Sequence, residues 1–181
     1  MTLNDSSRQF ILHWGEMGTR WGVNRTVAQV HALLYLSAES LTAEDIADTL
    51  SVARSNVSTS LKELQNWNLV RVDSRMGDRR DFFQTSSDVW TLFLTVVEQR
   101  IEREIVPTLE MLRQCAADAH SERPSQPTAA ARIAAMKIFL EQLYGWYNQV
   151  RKLPTASLRS LIGIGTGITR ILPKTRRRRL D

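Results

Sequence analysis

The fold is decided by residues 41–85, LTAEDIADTLSVARSNVSTSLKELQNWNLVRVDSRMGDRRDFFQT. The first part of this stretch predicts two short helices joined by a tight turn. Thr42 is a good N-cap residue, and Glu44 and Asp45 would place negative charge in the first turn, where it suits the helix dipole. Asp45 also stands three residues after Thr42, which is a weak form of the capping box. Because Ala47 is small enough to let a second helix approach closely, the pattern indicates a helix-turn-helix.

The second helix is predicted over residues 53–67, after a turn at Ser51 and Val52. Its inward residues fall at helical spacing, and they are Val57, Leu61 and Leu64. Its outward face carries short hydrogen-bonding side chains between two cations, namely Arg54, Ser55, Asn56, Ser58, Thr59 and Lys62. Such a face suits the DNA major groove, with Ser55, Asn56 and Thr59 as candidates for base edges and the others for phosphates. The alternative is the solvated polar face of an ordinary surface helix.

A β-hairpin is predicted next, from residues 69–73 and 81–85 with a turn at Gly77. Its loop carries Arg75, Arg79 and Arg80, which favour contact with a DNA backbone or minor groove. Residues 52–80 hold six Arg or Lys and three acids, a local balance of +3. One of Arg79 and Arg80 is expected to pair with Asp78 or Asp81 and stiffen the turn.

The run VARSNVSTSLKELQNWNLVRV, followed by GDRRDFF and DVW, resembles the winged helix of MarR-type bacterial regulators, and especially their GbsR-like branch. The resemblance extends from about residue 42 to residue 112. It implies a cytoplasmic, sequence-specific DNA-binding transcriptional regulator, typically a homodimeric repressor bound to double-stranded DNA. Two positions depart from the family pattern. Ala53 stands where Ser or Thr is common, and Ser51 replaces the usual turn glycine.

On this basis we expect a mainly α fold with a small β-hairpin, a winged helix-turn-helix flanked by N- and C-terminal dimerisation helices. Residues 1–40 would be supporting N-terminal helices, 41–86 the DNA-binding domain, 87–152 a helical dimerisation region and 153–181 a basic, partly apolar flexible tail. Helices are predicted near residues 6–20, 25–38, 87–119 and 129–150. Pro107 should kink or divide the third of these, and residues 121–128 should link it to the fourth. Three glycines, Gly163, Gly165 and Gly167, predict flexibility in the tail.

Composition gives an ordinary globular chain of 181 residues with a formal net charge of +5. The charge is uneven: residues 151–181 hold nine Arg or Lys and one acid, or +8, which leaves −3 for residues 1–150. A single cysteine, Cys115, excludes an intramolecular disulfide and favours a reducing cytoplasm. The sequence shows no export signal and no apolar run of 18 residues, so we expect a cytoplasmic protein without a membrane-spanning helix.

No catalytic or metal constellation is apparent in the sequence. His13, His31 and His120 are scattered, and Cys115 has no basic partner nearby in sequence. The Gly163–Gly167 run lacks the ending of a phosphate-binding loop. We therefore predict neither an enzyme nor a cofactor or metal site.

Aromatic residues allow one ligand hypothesis. The GbsR-like branch includes regulators that sense quaternary ammonium compounds, so the resemblance implies an aromatic cage for such a cation. Trp14, Trp21, Tyr35 and Trp90 could line it. The alternative is that these side chains simply belong to the core.

The C-terminal arginines favour a second function from another class. They could follow a DNA backbone, contact an anionic membrane surface, or only solubilise the chain. With an uncapped recognition helix, they also fit a winged-helix interaction or membrane-surface adaptor that does not read DNA sequence.

Overall fold

The computed structural model describes residues 3–121 and 127–168, which divide into two compact units, Met1–Ile101 and Glu102–Asp181. The first unit contains α1 (Asp5–Arg20), α2 (Arg25–Leu36), β1 (Leu41–Thr42), α3 (Ala43–Leu50), α4 (Arg54–Asn66), β2 (Val70–Ser74), β3 (Asp81–Thr85) and α5 (Val89–Arg100). A short π-helical turn, Ile101–Ile105, follows α5. The second unit contains α6 (Val106–Ser121), α7 (Pro127–Val150) and α8 (Thr155–Ile168).

The predicted helix-turn-helix is formed by α3 and α4. A complete capping box opens α3, because the Thr42 hydroxyl accepts from the Asp45 backbone amide while the Asp45 carboxylate accepts from the Thr42 backbone amide. Ser51 ends α3 in the left-handed region, with φ of 54°, a conformation that favours glycine. The Val52 amide then donates to the Ala47 carbonyl at 3.1 Å, closing the turn.

The predicted hairpin is confirmed, and a third strand joins it. The sheet has the order β1-β3-β2 and is antiparallel throughout, with Phe83 opposite both Leu41 and Val72. Asn68 leads into β2 with φ of 55°, a conformation that asparagine tolerates well. Strand β1 was not predicted from the sequence, since two residues carry no periodic pattern.

The core of the first unit is built around α2. Val30 and Leu33 are fully buried, together with Ile46 of α3 and Val57 of α4. The predicted N-terminal helices are confirmed as α1 and α2, and the loop between them contains Gly22 at φ of 76°.

The second unit contains a helical pair, α6 and α7, which is supported by an ion pair of Arg113 with Glu141 at 3.2 Å. Leu109 and Leu112 of α6 are buried. The predicted division of the long helix near Pro107 is confirmed, and it takes the form of the π-helical turn that precedes the proline. Proline lacks an N–H and its ring crowds the carbonyl four residues back, Arg103, which explains the break on the N-terminal side.

The flexible tail predicted from residue 153 is wrong over Thr155–Ile168, which forms α8. The Pro154 carbonyl accepts the amides of Ser157 and Leu158 in the first turn, and the Leu158 side chain is buried. Glycine costs only about 0.5–1 kcal/mol in a helix, so apolar residues at helical spacing outweigh the glycine run. The basic residues 170–179 and most of the predicted linker at 121–128 lie outside the described residues.

Candidate nucleic-acid interface

The outer face of α4 is free of the protein's own core. All six predicted side chains on it are exposed to solvent, namely Arg54, Ser55, Asn56, Ser58, Thr59 and Lys62. Val57, Ser60 and Leu61 are buried on the opposite face. The helix is therefore anchored from behind and presents a polar row outward, which is the geometry needed to enter a groove.

Helix α4 begins without a side-chain cap. Ala53 occupies the N-cap position of α4 with extended backbone angles, φ −61° and ψ 137°, and makes no side-chain hydrogen bond to the helix. The expected loss of a cap is thus confirmed. The Asn56 and Val57 amides donate only to the Ala53 carbonyl oxygen.

A groove of about 400 Å³ runs between α4 and the hairpin. It brings together five of the predicted DNA-contacting residues, which are Arg54, Ser58, Lys62, Arg79 and Arg80. Ser55, Asn56 and Thr59 do not line it, because they stand on the adjoining part of the helix surface. The groove also includes two acids, Glu44 and Asp81, so its positive charge is partly offset.

The loop between β2 and β3, which we call the wing, is held by two of its own arginines. The Arg80 guanidinium binds the Asp78 carboxylate, with its Nη2 at 2.7 Å and its Nε at 3.0 and 3.1 Å from the two oxygens. This pairing holds the pKa of Asp78 at about 2, below its usual value. The expectation that one of Arg79 and Arg80 would pair locally is confirmed, and it is Arg80.

Arg75 is also engaged within the chain. Its guanidinium stacks over the Phe82 ring at 3.9 Å and its Nη2 donates to the Ser40 hydroxyl at 3.0 Å. Sequence spacing could not show this, because Ser40 lies 35 residues away. Arg79 is exposed and, like Arg80, lines the groove beside α4.

The structure adds residues to the groove that were not singled out in the sequence. Gln65 lies one turn beyond Lys62 on the same side of α4, and Thr42 and Ala43 bring the start of α3 to the groove. Gln65 continues the series Arg54, Ser58 and Lys62 at helical spacing, so that spacing was the available signal.

Three of the four aromatic residues predicted to line a ligand cage meet in an apolar cavity of about 380 Å³. Trp14, Trp21 and Tyr35 line it, along with Phe10 and Phe93. Trp90 does not, because it packs edge-on against Phe93 with ring centres 6.4 Å apart. The cavity lining includes no carboxylate, so a quaternary ammonium cation would be held there by aromatic ring faces alone.

His31 lines this cavity and lies next to Thr85 of β3. Its Nε2 is 3.4 Å from the Thr85 hydroxyl, which itself donates to the Leu69 carbonyl at 2.7 Å. Burial lowers the pKa of His31 from 6.5 to about 4, so the ring is neutral at pH 7. Cys115 lies on α6, with its Sγ 3.6 Å from the Met111 sulfur.

The described residues form neither a metal-binding cluster nor a membrane-spanning helix. Within residues 3–121 and 127–168, no group of three His, Cys, Asp or Glu side chains is placed to hold a metal ion. No helix in the same ranges has both the length and the apolar character needed to cross a bilayer.

Comparison with known proteins agrees with this geometry. Residues 21–81 match the family model described as the MarR family. The HTH-type transcriptional repressor GbsR of Bacillus subtilis (strain 168) is 24% identical over 98 residues, or 54% of each chain, so the match spans about half the length of that relative. A crystal structure described as a transcriptional regulator superimposes with a TM-score of 0.66 at 16% identity, covering 80% of this chain and 95% of the other. Residues 21–81 are thus similar to the MarR family, and the fold resembles that of this crystal structure.

Proposed function

We propose that the chain is a sequence-specific DNA-binding transcriptional regulator that acts in the cytoplasm as a homodimeric repressor. The observation that carries this proposal is the exposed polar face of α4 beside a wing that is stiffened by its own arginines. A helix anchored by buried Val57 and Leu61 can enter a major groove without disturbing the core.

The groove separates two kinds of contact. Arg54, Lys62, Arg79 and Arg80 share it, and four cations around one concave surface suit a phosphate backbone. Asn56 lies outside it on the exposed face, where an amide can pair with the N6 and N7 atoms of adenine. Ser55 and Thr59 flank Asn56 and are further candidates for base edges. The Thr59 hydroxyl donates to the Ser55 carbonyl at 3.1 Å and keeps its lone pairs for accepting.

Arg75 and Arg80 then act chiefly by holding the wing. Arg80 is bidentate on Asp78, and Arg75 is fixed between Phe82 and Ser40. Their charges still add to the local potential, but Arg79 is the wing residue that we assign to the DNA backbone.

Repression would follow from occupancy of a promoter. A two-fold dimer presents two α4 helices to neighbouring major grooves on a near-palindromic site. An effector that binds the apolar cavity beside Trp14, Trp21 and Tyr35 would release DNA if it binds better to a dimer whose helices have another spacing.

The test is selection of duplexes from a random pool by the full chain, followed by fluorescence anisotropy at several salt concentrations. Asn56→Ala should weaken binding by about 1–3 kcal/mol and relax preference at one base pair. Arg79→Ala should weaken all sequences evenly and lower the slope of log K against log salt by roughly one.

The matched control is Arg20→Ala, which removes an exposed arginine of α1 outside the groove and should leave both properties unchanged. If the pool yields no sequence preferred over random DNA, the regulator proposal is wrong. Retention of anionic vesicles in place of DNA by the full chain would favour the adaptor function.

A further inference from the structure

A pocket of about 520 Å³ lies between the start of α1, helix α2 and the end of α3. Small-molecule sites typically measure about 300–1,000 Å³, so this volume suits a ligand. The pocket shares no lining residue with the groove beside α4 or with the aromatic cavity. We call it the α1–α3 pocket, and it is lined by residues that include Arg8, Ile11, Gln29, Asp48, Thr49 and Leu50.

The α1–α3 pocket brings together a cation and an anion that do not pair. Arg8 of α1 and Asp48 of α3 both line it, and both residues are exposed. Within residues 3–121 and 127–168, neither side chain forms an ion pair or a hydrogen bond. A ligand with one negative and one positive group can therefore bind both without breaking a contact of the folded chain.

Thr49 adds a hydroxyl group without a partner. Its Oγ1 is buried and makes no hydrogen bond in the part of the chain that the structure describes. Such groups are uncommon in folded proteins, because their desolvation is not offset. Since Thr49 lines the pocket, rotation about its χ1 angle exchanges the methyl and hydroxyl positions and offers the oxygen to a ligand.

Gln29 supplies a side-chain amide from α2. A Cβ at Gly15 would lie 2.7 Å from the Gln29 Cγ, so the stem of this glutamine packs against the backbone of α1. Its side chain is half-buried, and its amide makes no hydrogen bond with any other described residue. An amide held in this way can donate to a carboxylate or accept from an ammonium group.

The rest of the pocket wall is apolar. Ile11 is 3% exposed, and Leu12 and Leu50 also line the pocket. A small-molecule site usually combines such an apolar surface with a few polar groups that fix the orientation of the ligand. The ligand should therefore carry an apolar group in addition to its two charges.

We propose that the α1–α3 pocket binds a small zwitterion, namely an α-amino acid with an apolar side chain. The Arg8 guanidinium binds its carboxylate, and the Asp48 carboxylate binds its ammonium group. Asp48 also lies in the last turn of α3, where the helix dipole favours positive charge. The apolar side chain of the ligand packs on Ile11 and Leu12.

This pocket adjoins the turn that leads into α4. Ser51 follows α3 in the left-handed region, and the Val52 amide closes the turn on the Ala47 carbonyl. A ligand that bridges α1 and the end of α3 favours one placement of this turn, so it should alter the affinity of α4 for DNA. This second step rests on the proposed function, whereas binding of the amino acid does not.

The experiment is a calorimetric titration of the full chain, without DNA, by L-leucine and by L-phenylalanine. Each should bind at one site per chain with a dissociation constant below roughly 1 mM. L-Leucinamide lacks the carboxylate and N-acetyl-L-leucine lacks the ammonium group. Both should bind at least about 10-fold more weakly than leucine, because each loses a charged hydrogen bond.

Two variants assign the two charges of the ligand. Arg8→Gln should bind leucine and leucinamide equally but still discriminate against N-acetyl-leucine, and Asp48→Asn should show the reverse preference. The matched controls are Arg20→Gln and Asp73→Asn, which remove an exposed cation and an exposed anion outside the pocket. They should bind leucine like the unmodified chain. Circular dichroism should show equal helicity and an equal Tm in Arg8→Gln and Asp48→Asn, since neither side chain has a partner to lose.

Four outcomes would overturn the inference. They are no saturable binding of either amino acid below roughly 1 mM, equal affinity for leucine and its two blocked derivatives, unchanged preference in Arg8→Gln and Asp48→Asn, and an equal loss in the two controls. Duplex affinity that is the same with and without saturating leucine would refute the coupling to α4.

Duplex selection is read separately from the titration. A chain that binds leucine through Arg8 and Asp48 but prefers no DNA sequence refutes the regulator proposal alone. A sequence-specific chain that binds neither amino acid refutes the assignment of the pocket alone.

Discussion

At the scale of single residues, α4 begins with two local features that destabilise it. Ser51 adopts a left-handed backbone that favours glycine, and Ala53 leaves the first turn of α4 without a side-chain cap. Both unfavourable features lie at or just before the N-terminal end of α4, which carries Arg54 and Asn56. The first turn of α4 therefore lacks the stabilisation that a capping side chain would give it.

Ala53→Ser should stabilise the protein by about 0.5–2 kcal/mol, because its hydroxyl can accept a hydrogen bond from an unpaired amide of the first turn. The backbone at Ala53 is already extended, as a capping residue requires. Urea unfolding followed by circular dichroism measures the gain. Ala53→Val is the control, since valine offers no acceptor, and an equal gain in that variant would show that capping is not the cause.

His31 should make stability depend on pH. The pKa of His31 is about 4 in the folded chain and about 6.5 in the unfolded chain. Between these pH values the imidazole is therefore protonated in the unfolded chain but neutral in the folded chain. Stability is complete above pH 6.5 and falls as pH drops toward 4, by about 2 kcal/mol between pH 7 and pH 5. Urea midpoints at these two pH values measure the fall.

The neutral substitution His31→Gln should reduce that pH dependence even if it lowers overall stability. The measurement stays above pH 5 because the pKa values of Asp45 and Asp78 are lowered in the folded chain. These two carboxylates therefore make stability depend on pH only in more acidic solution. A His31→Gln variant that loses as much stability as the parent between pH 7 and pH 5 would contradict the assignment.

At the scale of elements, two helical glycines have opposite roles. A Cβ at Gly18 of α1 would lie 2.5 Å from the Ala28 Cβ of α2, so the missing side chain lets these helices approach. A Cβ at Gly145 of α7 would meet nothing within 4 Å. Gly18→Ala should therefore destabilise the protein by about 1–3 kcal/mol through overpacking.

Gly145→Ala serves as the paired comparison and should stabilise the protein by about 0.5–1 kcal/mol, because alanine removes the conformational freedom of glycine without a clash. Urea unfolding of both variants gives the two signs. Destabilisation by both substitutions would mean that the surroundings of Gly145 are tighter than the structure shows.

The elements that were predictable are those with local signals. Thr42, Asp45 and the apolar spacing of Val57, Leu61 and Leu64 define α3 and α4 without outside help. Strand β1 was missed because it exists only through pairing with Phe82 and Phe83, some 40 residues away along the chain. Helix α8 was missed, because the three glycines predicted a flexible segment although the apolar residues around them follow helical spacing.

The same distinction applies to the candidate interface. Exposure of Arg54, Asn56 and Lys62 follows from helical periodicity, and the structure shows it. The engagement of Arg75 depends on Ser40 and Phe82, which the tertiary fold brings to it. The sequence therefore predicted the wing as a basic loop but not which of its arginines line the groove, namely Arg79 and Arg80.

At the scale of the whole molecule, a dimeric regulator must match the repeat of the duplex. Two α4 helices in a two-fold dimer should contact half-sites about 10 base pairs apart, or one helical turn. Inserting five base pairs between the selected half-sites should reduce affinity toward that of a single half-site, since it rotates one half-site to the far side of the duplex.

Insertion of ten base pairs restores the facing of the half-sites and should recover binding only if the two recognition domains can separate. Anisotropy with the three duplexes at one salt concentration measures both effects. Equal affinity for the original and the five-base-pair insertion would indicate that each chain binds alone.

Thr42 belongs at once to β1, which pairs with the wing strand β3, and to the cap that starts α3. Thr42, beside the Leu41–Phe83 pair, thus connects the sheet that carries the wing to the start of α3. In the proposed regulator, an effector would then lower DNA affinity by moving α3 and the hairpin together, without altering the exposed face of α4.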